Sequence, residues 1–165
     1  MRAFSSIRIA VLVIALAGVS CSSPMPPTIG VPVPLTRFDS RLVGSLLFTG
    51  YDQPTTLIVR DQATWRATWQ QLHVHEGAPP LLPDIDFSTE MVVLAAAGTE
   101  PSSGYDILFT GASKGDGVVT IDTLTLTPSG CAVALALTQP ADLARLPRHD
   151  GSVVFRLTSA VHVCG

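Results

Sequence analysis

The sequence predicts an α+β domain, mostly antiparallel β closing as a sandwich or partial barrel, with one packed α-helix at about residues 61–72. Three observations carry this expectation. Hydrophobic residues make up 47% of the chain and charged residues 14%, which supplies a real core and excludes a disordered chain. From Met91 to Val163 run five strand-like segments rich in Val, Ile, Leu and Thr, with turn signals at Lys114-Gly115-Asp116-Gly117, Pro128-Ser129-Gly130 and Asp150-Gly151. Between Asp61 and Leu72 the apolar period becomes helical, with Trp65, Trp69 and Leu72 at i, i+4 and i+7.

Taken in order, residues 1–20 read as a targeting segment: Arg2 and Arg8 form a positive n-region, and Ile9 to Ala17 is an apolar h-region too short to span a bilayer comfortably. Ala17-Gly18-Val19-Ser20-Cys21 follows and resembles a bacterial lipobox, in which the cysteine is acylated and becomes the new N-terminus. Cys21 is therefore the expected lipidation site. Several acyl chains on one cysteine anchor stably where a single chain binds only marginally. Ser22 and Ser23 lack the Asp of the enterobacterial inner-membrane retention rule, which favours an outer-membrane or cell-surface address. Ordinary secretion with cleavage near this point is the alternative.

Residues 21–40 are expected to be an extended tether, because five of the thirteen prolines lie between Pro24 and Pro34 in a stretch with almost no charge. The domain is then expected over 41–165. Leu42 to Thr49 reads as a first strand, Thr55 to Arg60 as a second, and Asp61 caps the helix by accepting from free first-turn amides. Both tryptophans read as core anchors. After a proline-containing loop at 73–83, Met91 to Ala97 is apolar on both parities and predicts a strand covered on each face. Tyr105 to Thr110, Val118 to Thr127, Ala132 to Thr138 and Val153 to Val163 complete the strands, and Gln139 to Leu143 is expected to hold a short helical turn. The ring of Tyr105 is expected to align with Ile107 and Phe109 in the core.

The net charge is −3, and removing the two leader arginines leaves −5 for the body, so there is no basic footprint for nucleic acid. Cys131 and Cys164 are an even pair in an exported, oxidising setting and are expected to be bonded, two separate thiols being the alternative. Closing their loop of about 33 residues would stabilise by roughly 3.5 to 4 kcal/mol in the chain-entropy account. Cys131 shares a face with Val133 and Leu135, whereas Cys164 lies opposite the Val161 and Val163 face, so a bulge or bend is needed if both runs are regular.

His73-Val74-His75-Glu76 is the one cluster with metal-ligand chemistry: an extended segment would put both imidazoles on one side, with Glu76 adding oxygen. A polar helix end running into a proline loop explains the same residues. Asp84 and Asp86 can pair for acid/base or calcium chemistry, or form a turn before the Met91 strand. The chain has no Gly-x-Ser-x-Gly elbow, phosphate-cradling glycine loop or zinc-protease helix motif. A non-catalytic protein without cofactor is expected. Gly98-Thr99-Glu100-Pro101-Ser102-Ser103-Gly104-Tyr105 reads as a surface loop between two core strands. Thr99 to Ser103 is left to meet a partner, while Gly104 and Tyr105 serve the fold.

The ordered set Trp65…Trp69…Leu72, Asp84-Ile85-Asp86-Phe87, Met91-Val92-Val93, Gly98, Pro101-Ser102-Ser103-Gly104-Tyr105, Pro128-Ser129-Gly130, Thr138-Gln139-Pro140 and Leu146-Pro147 resembles the PrcB C-terminal domain family over about residues 55–160. That family is named for a lipoprotein accessory subunit of a bacterial surface protease complex. The resemblance implies stabilising or docking of an envelope partner, a protease among the candidates. Because loops on rigid scaffolds often carry recognition, Thr99, Glu100, Pro101, Ser102, Ser103, Gly104 and Tyr105 are the expected partner-binding loop. Glu100-Pro101-Ser102-Ser103-Gly104-Tyr105 is also similar to the Asn-Pro-Thr-Thr-Gly-Tyr loop of chagasin-type inhibitors, which implies direct inhibition of a papain-like protease as an alternative. A metal-dependent enzyme at His73 and His75 is the further alternative.

Overall fold

A computed structural model describes residues 30–163, and it arranges them as two four-stranded sheets with one long helix. Sheet A runs in the order β1 (Val31–Pro32), β5 (Asp106–Gly115), β6 (Val118–Ser129), β8 (Val153–Val163). Sheet B runs β2 (Thr36–Arg37), β7 (Ala141–Pro147), β4 (Glu90–Ala96), β3 (Thr55–Val59). The expected α+β sandwich is thus observed, open rather than closed into a barrel.

Helix α2 (Gln62–Leu72) forms where the period indicated. Asp61 Oδ1 accepts the Thr64 N–H at 2.8 Å, filling one of the donors that a helix start leaves free. Trp65, Thr68, Trp69 and Leu72 are buried. Each indole N–H finds a carbonyl in the proline loop: Trp65 Nε1 donates to Pro83 O at 2.9 Å and Trp69 Nε1 to Pro80 O at 3.0 Å. The prolines supply carbonyls without adding amides that would need partners.

Strand β4 explains the three layers. Val92, Leu94 and Ala96 join the helix-side core with Trp65, Trp69 and Leu72, whereas Met91, Val93 and Ala95 join the inter-sheet core with Phe109, Val119 and Ile121. Because strand side chains alternate, a strand apolar on both parities must be covered on both faces.

Several expectations are corrected. The run 42–49 is not a strand: Asp39 accepts the Arg41 N–H at 2.9 Å and starts a short helix, α1 (Ser40–Val43), after which Phe48 makes one isolated bridge to Gln139. The run 132–138 is not a ladder strand either; its backbone is tied to the 98–105 loop instead. Gln139 to Leu143 holds no helical turn, because Ala141 onward enters β7 between β2 and β4, where burial outweighs the helix preference of Ala, Leu and Arg. The strand β8 pairs with β6 in parallel, Val119 opposite Val153 through Ser129 opposite Val163, because β7 crosses in the other sheet and returns the chain to the start of β6. The tether expected over 21–40 is paired from Val31: β1 pairs with β5 and β2 with β7, so the chain crosses from one sheet edge to the other. Pro32 is tolerated there because an edge strand can lack a donor.

Candidate functional site

Loop 98–105 is set by two glycines in backbone conformations that other residues resist. Gly98 has φ 88° and its missing Cβ would meet Pro54 Cδ at 2.8 Å; Gly104 has φ 99° and a Cβ there would meet Val133 Cγ1 at 2.9 Å. Between them the backbone is laced to its neighbours. Thr99 N–H donates to Asp52 O at 3.1 Å, Glu100 and Thr138 exchange backbone bonds of 2.8 and 3.0 Å, and Ser103 N–H donates to Ala134 O at 3.0 Å. Thr138 Oγ1 donates to Ser102 O at 3.0 Å, and Ser103 Oγ accepts the Ala134 N–H at 2.9 Å.

This stitching changes what the loop offers. Ser102 is buried, Glu100 and Ser103 are half-buried, and Thr99, Pro101 and Gly104 are exposed. The stretch expected to be free from Thr99 to Ser103 therefore presents chiefly Thr99 and Pro101. Burial pushes the Glu100 carboxyl above its ordinary pKa. The ring of Tyr105 is half-buried and falls outside the inter-sheet core; it lines a cavity of about 680 Å³ together with Leu46, Leu47, Leu126, Val133 and Pro140.

A second cavity, also about 680 Å³, opens on the other flank of the loop. Phe48 and Leu137 line it and are 50% and 67% exposed; Asp52, Glu76, His75 and Thr99 line it as well. The amide of Gln139 ties this end together by donating to Asp52 Oδ1 and, at 3.3 Å, to Thr99 Oγ1. Sequence reasoning missed Phe48, Asp52, Leu137 and Gln139. Phe48 and Leu137 lie in the runs 42–49 and 132–138, which read locally as strands, and only the pairing of Phe48 and Thr49 with Gln139 in the folded chain brings the two runs together.

His73 and His75 do not share a side. The chain turns at 73–75, so His73 points inward, with Nδ1 2.9 Å from Glu76 Oε1 and its ring 4.4 Å from that of Trp69, while His75 is exposed. His73 Nε2 is buried without a partner. Among the described residues no group of three His, Cys, Asp or Glu side chains is placed to hold a metal ion. Asp84 and Asp86 do not act as a pair either: Asp86 closes a turn, accepting from Ser88 N at 3.0 Å, Ser88 Oγ at 2.6 Å and Thr89 Oγ1 at 2.9 Å, which holds its pKa below the ordinary value. Cys131 Sγ lies 3.7 Å from the carbonyl oxygen of His162. Its expected partner Cys164 and the lipidation site Cys21 lie outside the described residues.

Fold and surface together define an open two-sheet α+β domain, one end of which is built from the segments 44–52, 98–105 and 131–140. Residues 91–147 match the family model described as PrcB C-terminal, so the resemblance seen in the ordered motifs holds on the stretch from β4 through β7, about a third of the chain. The match contains the whole 98–105 loop and the 131–140 segment laced to it, and leaves the tryptophan helix outside. No curated protein matches the chain, and no solved structure does.

Proposed function

We propose that this is a non-catalytic, lipid-anchored envelope protein that docks on and stabilises a partner, a protease, through the 99–105 loop and the surface beside it. The observation that carries the reading is the PrcB C-terminal match over 91–147, which contains that loop. The rigid lacing of the loop supports it, since a preorganised loop loses little entropy on docking. The n-region, h-region and lipobox support anchoring at Cys21, and Ser22 and Ser23 in place of a retention Asp favour an outer-membrane or cell-surface address. A Cys131–Cys164 bond belongs to the same reading. The parallel register brings the ends of β6 and β8 side by side, Ser129 opposite Val163, which supports the pairing without the regular-strand conflict of faces. Direct protease inhibition is the weaker reading, because Ser102 of the inhibitor-like loop is turned inward and its carbonyl is held by Thr138.

The test is capture from detergent-solubilised envelope with the anchored protein as bait. A protease should co-purify with the parent, and recovery should fall about fivefold or more for a Thr99→Ala, Pro101→Ala variant whose thermal midpoint is unchanged. Equal recovery by both proteins, or no protease at all, would overturn the proposal. Cys21→Ser should release the protein from the membrane fraction, and mass spectrometry without reductant should find Cys131 and Cys164 joined.

A further inference from the structure

The groove beside the loop combines apolar walls with two carboxylates. Phe48 and Leu137 expose large side chains to it, and Asp52 and Glu76 stand in the same groove beside His75, with no Lys or Arg among its lining residues. The ion pairs among the described residues join Arg37 to Asp142, Arg148 to Asp150 and Arg156 to Asp122, and His73 contacts Glu76; Asp52 has none. Asp52 Oδ1 takes the Gln139 amide and Glu76 Oε1 lies 2.9 Å from His73 Nδ1, so each carboxylate is held in position by one neighbour and keeps its other oxygen for a ligand. Thr99 is shared by groove and loop, making them one continuous surface.

From this we infer that the groove receives a basic side chain, best an arginine, from an exposed segment of the docking partner. An arginine carries an apolar stem that can lie along Leu137, a planar guanidinium that can stack on the ring of Phe48, and donors that can reach Asp52 and Glu76. A purely apolar side chain would offer the carboxylates no further donor, and an acidic one would be repelled. The inference rests on the partner-docking reading and names the chemistry that reading requires at this surface.

The probe is a capped peptide, acetyl-Gly-Leu-Arg-Gly-amide, titrated into isotope-labelled protein and followed by amide chemical shifts, with the Glu-for-Arg peptide as control. Saturable shifts are expected at Phe48, Asp52, Thr99, Leu137 and Gln139 with the arginine peptide only, weakening as salt is added. The Asp52→Asn, Glu76→Gln variant keeps an acceptor for Gln139 and for His73, so it should fold as the parent does, yet bind the arginine peptide about tenfold more weakly. Absence of saturable shifts up to about 10 mM peptide, equal shifts with the glutamate peptide, or shifts centred on the exposed strand β8 would overturn it. The two readings fail separately. If a protease co-purifies equally with parent and with the Asp52→Asn, Glu76→Gln variant, the groove assignment fails while docking stands; if the peptide binds the groove and no protease is captured, docking fails while the groove stands.

Discussion

Asp142 ties the two sheets together. It sits on β7 in sheet B, and its Oδ2 accepts the Phe109 N–H at 2.8 Å, just before β5 of sheet A slips register between Phe109 and Gly111. Its Oδ1 accepts the Leu143 N–H at 3.0 Å, and Arg37 Nε lies 2.8 Å from Oδ2. Burial nevertheless raises its pKa, outweighing the hydrogen bonds and the partly exposed arginine that favour the charged form. A carboxyl whose folded pKa is raised contributes stability that is present below its unfolded pKa and lost as pH rises through the folded one. Asp142→Asn keeps one oxygen for the Phe109 N–H but sets an amide N–H against the Leu143 N–H and Arg37, so it should cost stability, and the parent's advantage should grow as pH falls through the raised pKa, read from denaturant midpoints. Asp142→Leu should cost about 1–3 kcal/mol at pH 7, because it strands the buried Phe109 amide, and more as pH falls and the parent gains stability. At Gly104 the positive φ and the Val133 contact act together, so Gly104→Ala should cost about 1–3 kcal/mol, measured by thermal unfolding.

At the scale of elements, α2 and β7 are instructive opposites. The helix was legible because its signals are local: Asp61 three residues before Thr64, then Trp65, Trp69 and Leu72 on one face. Trp69→Ala should cost about 3–5 kcal/mol, since it empties a buried site and removes the bond to Pro80 that fixes the proline loop. Asp61→Ala should cost about 0.5–2 kcal/mol by chemical denaturation. Ala141-Asp142-Leu143-Ala144-Arg145-Leu146-Pro147 carries no such local sign of a strand. It is extended because β2 and β4 flank it, with residues on alternate faces entering different cores. The loop between β4 and β5 was legible at its ends, where Gly98 and Gly104 permit the turns, but not in its interior. The inward turn of Ser102 depends on Thr138, thirty-six residues later.

For the molecule as a whole, the segment 31–38 has a larger part than its composition suggests. It contributes an edge strand to each sheet, Arg37 beside Asp142, and Phe38 stacked at 5.8 Å on Trp65. A chain beginning at Asp39 should unfold at least about 5 °C below one beginning at Gly30, the shift expected for a loss of about 1–2 kcal/mol. By itself the sequence determined the α+β class, the capped tryptophan helix, the doubly covered β4, the hairpin of β5 and β6, and the glycine-bounded loop. Each of these rests on a period, a cap or a turn residue that acts within a few positions of the chain. Only the tertiary structure decided that β8 lies parallel to β6, that 31–37 closes both sheet edges, that His73 and His75 part company, and that Phe48, Asp52 and Leu137 meet at the loop. Those outcomes depend on contacts between residues tens of positions apart, where the energy of burial and of satisfying backbone groups chooses among arrangements that local preferences leave equal.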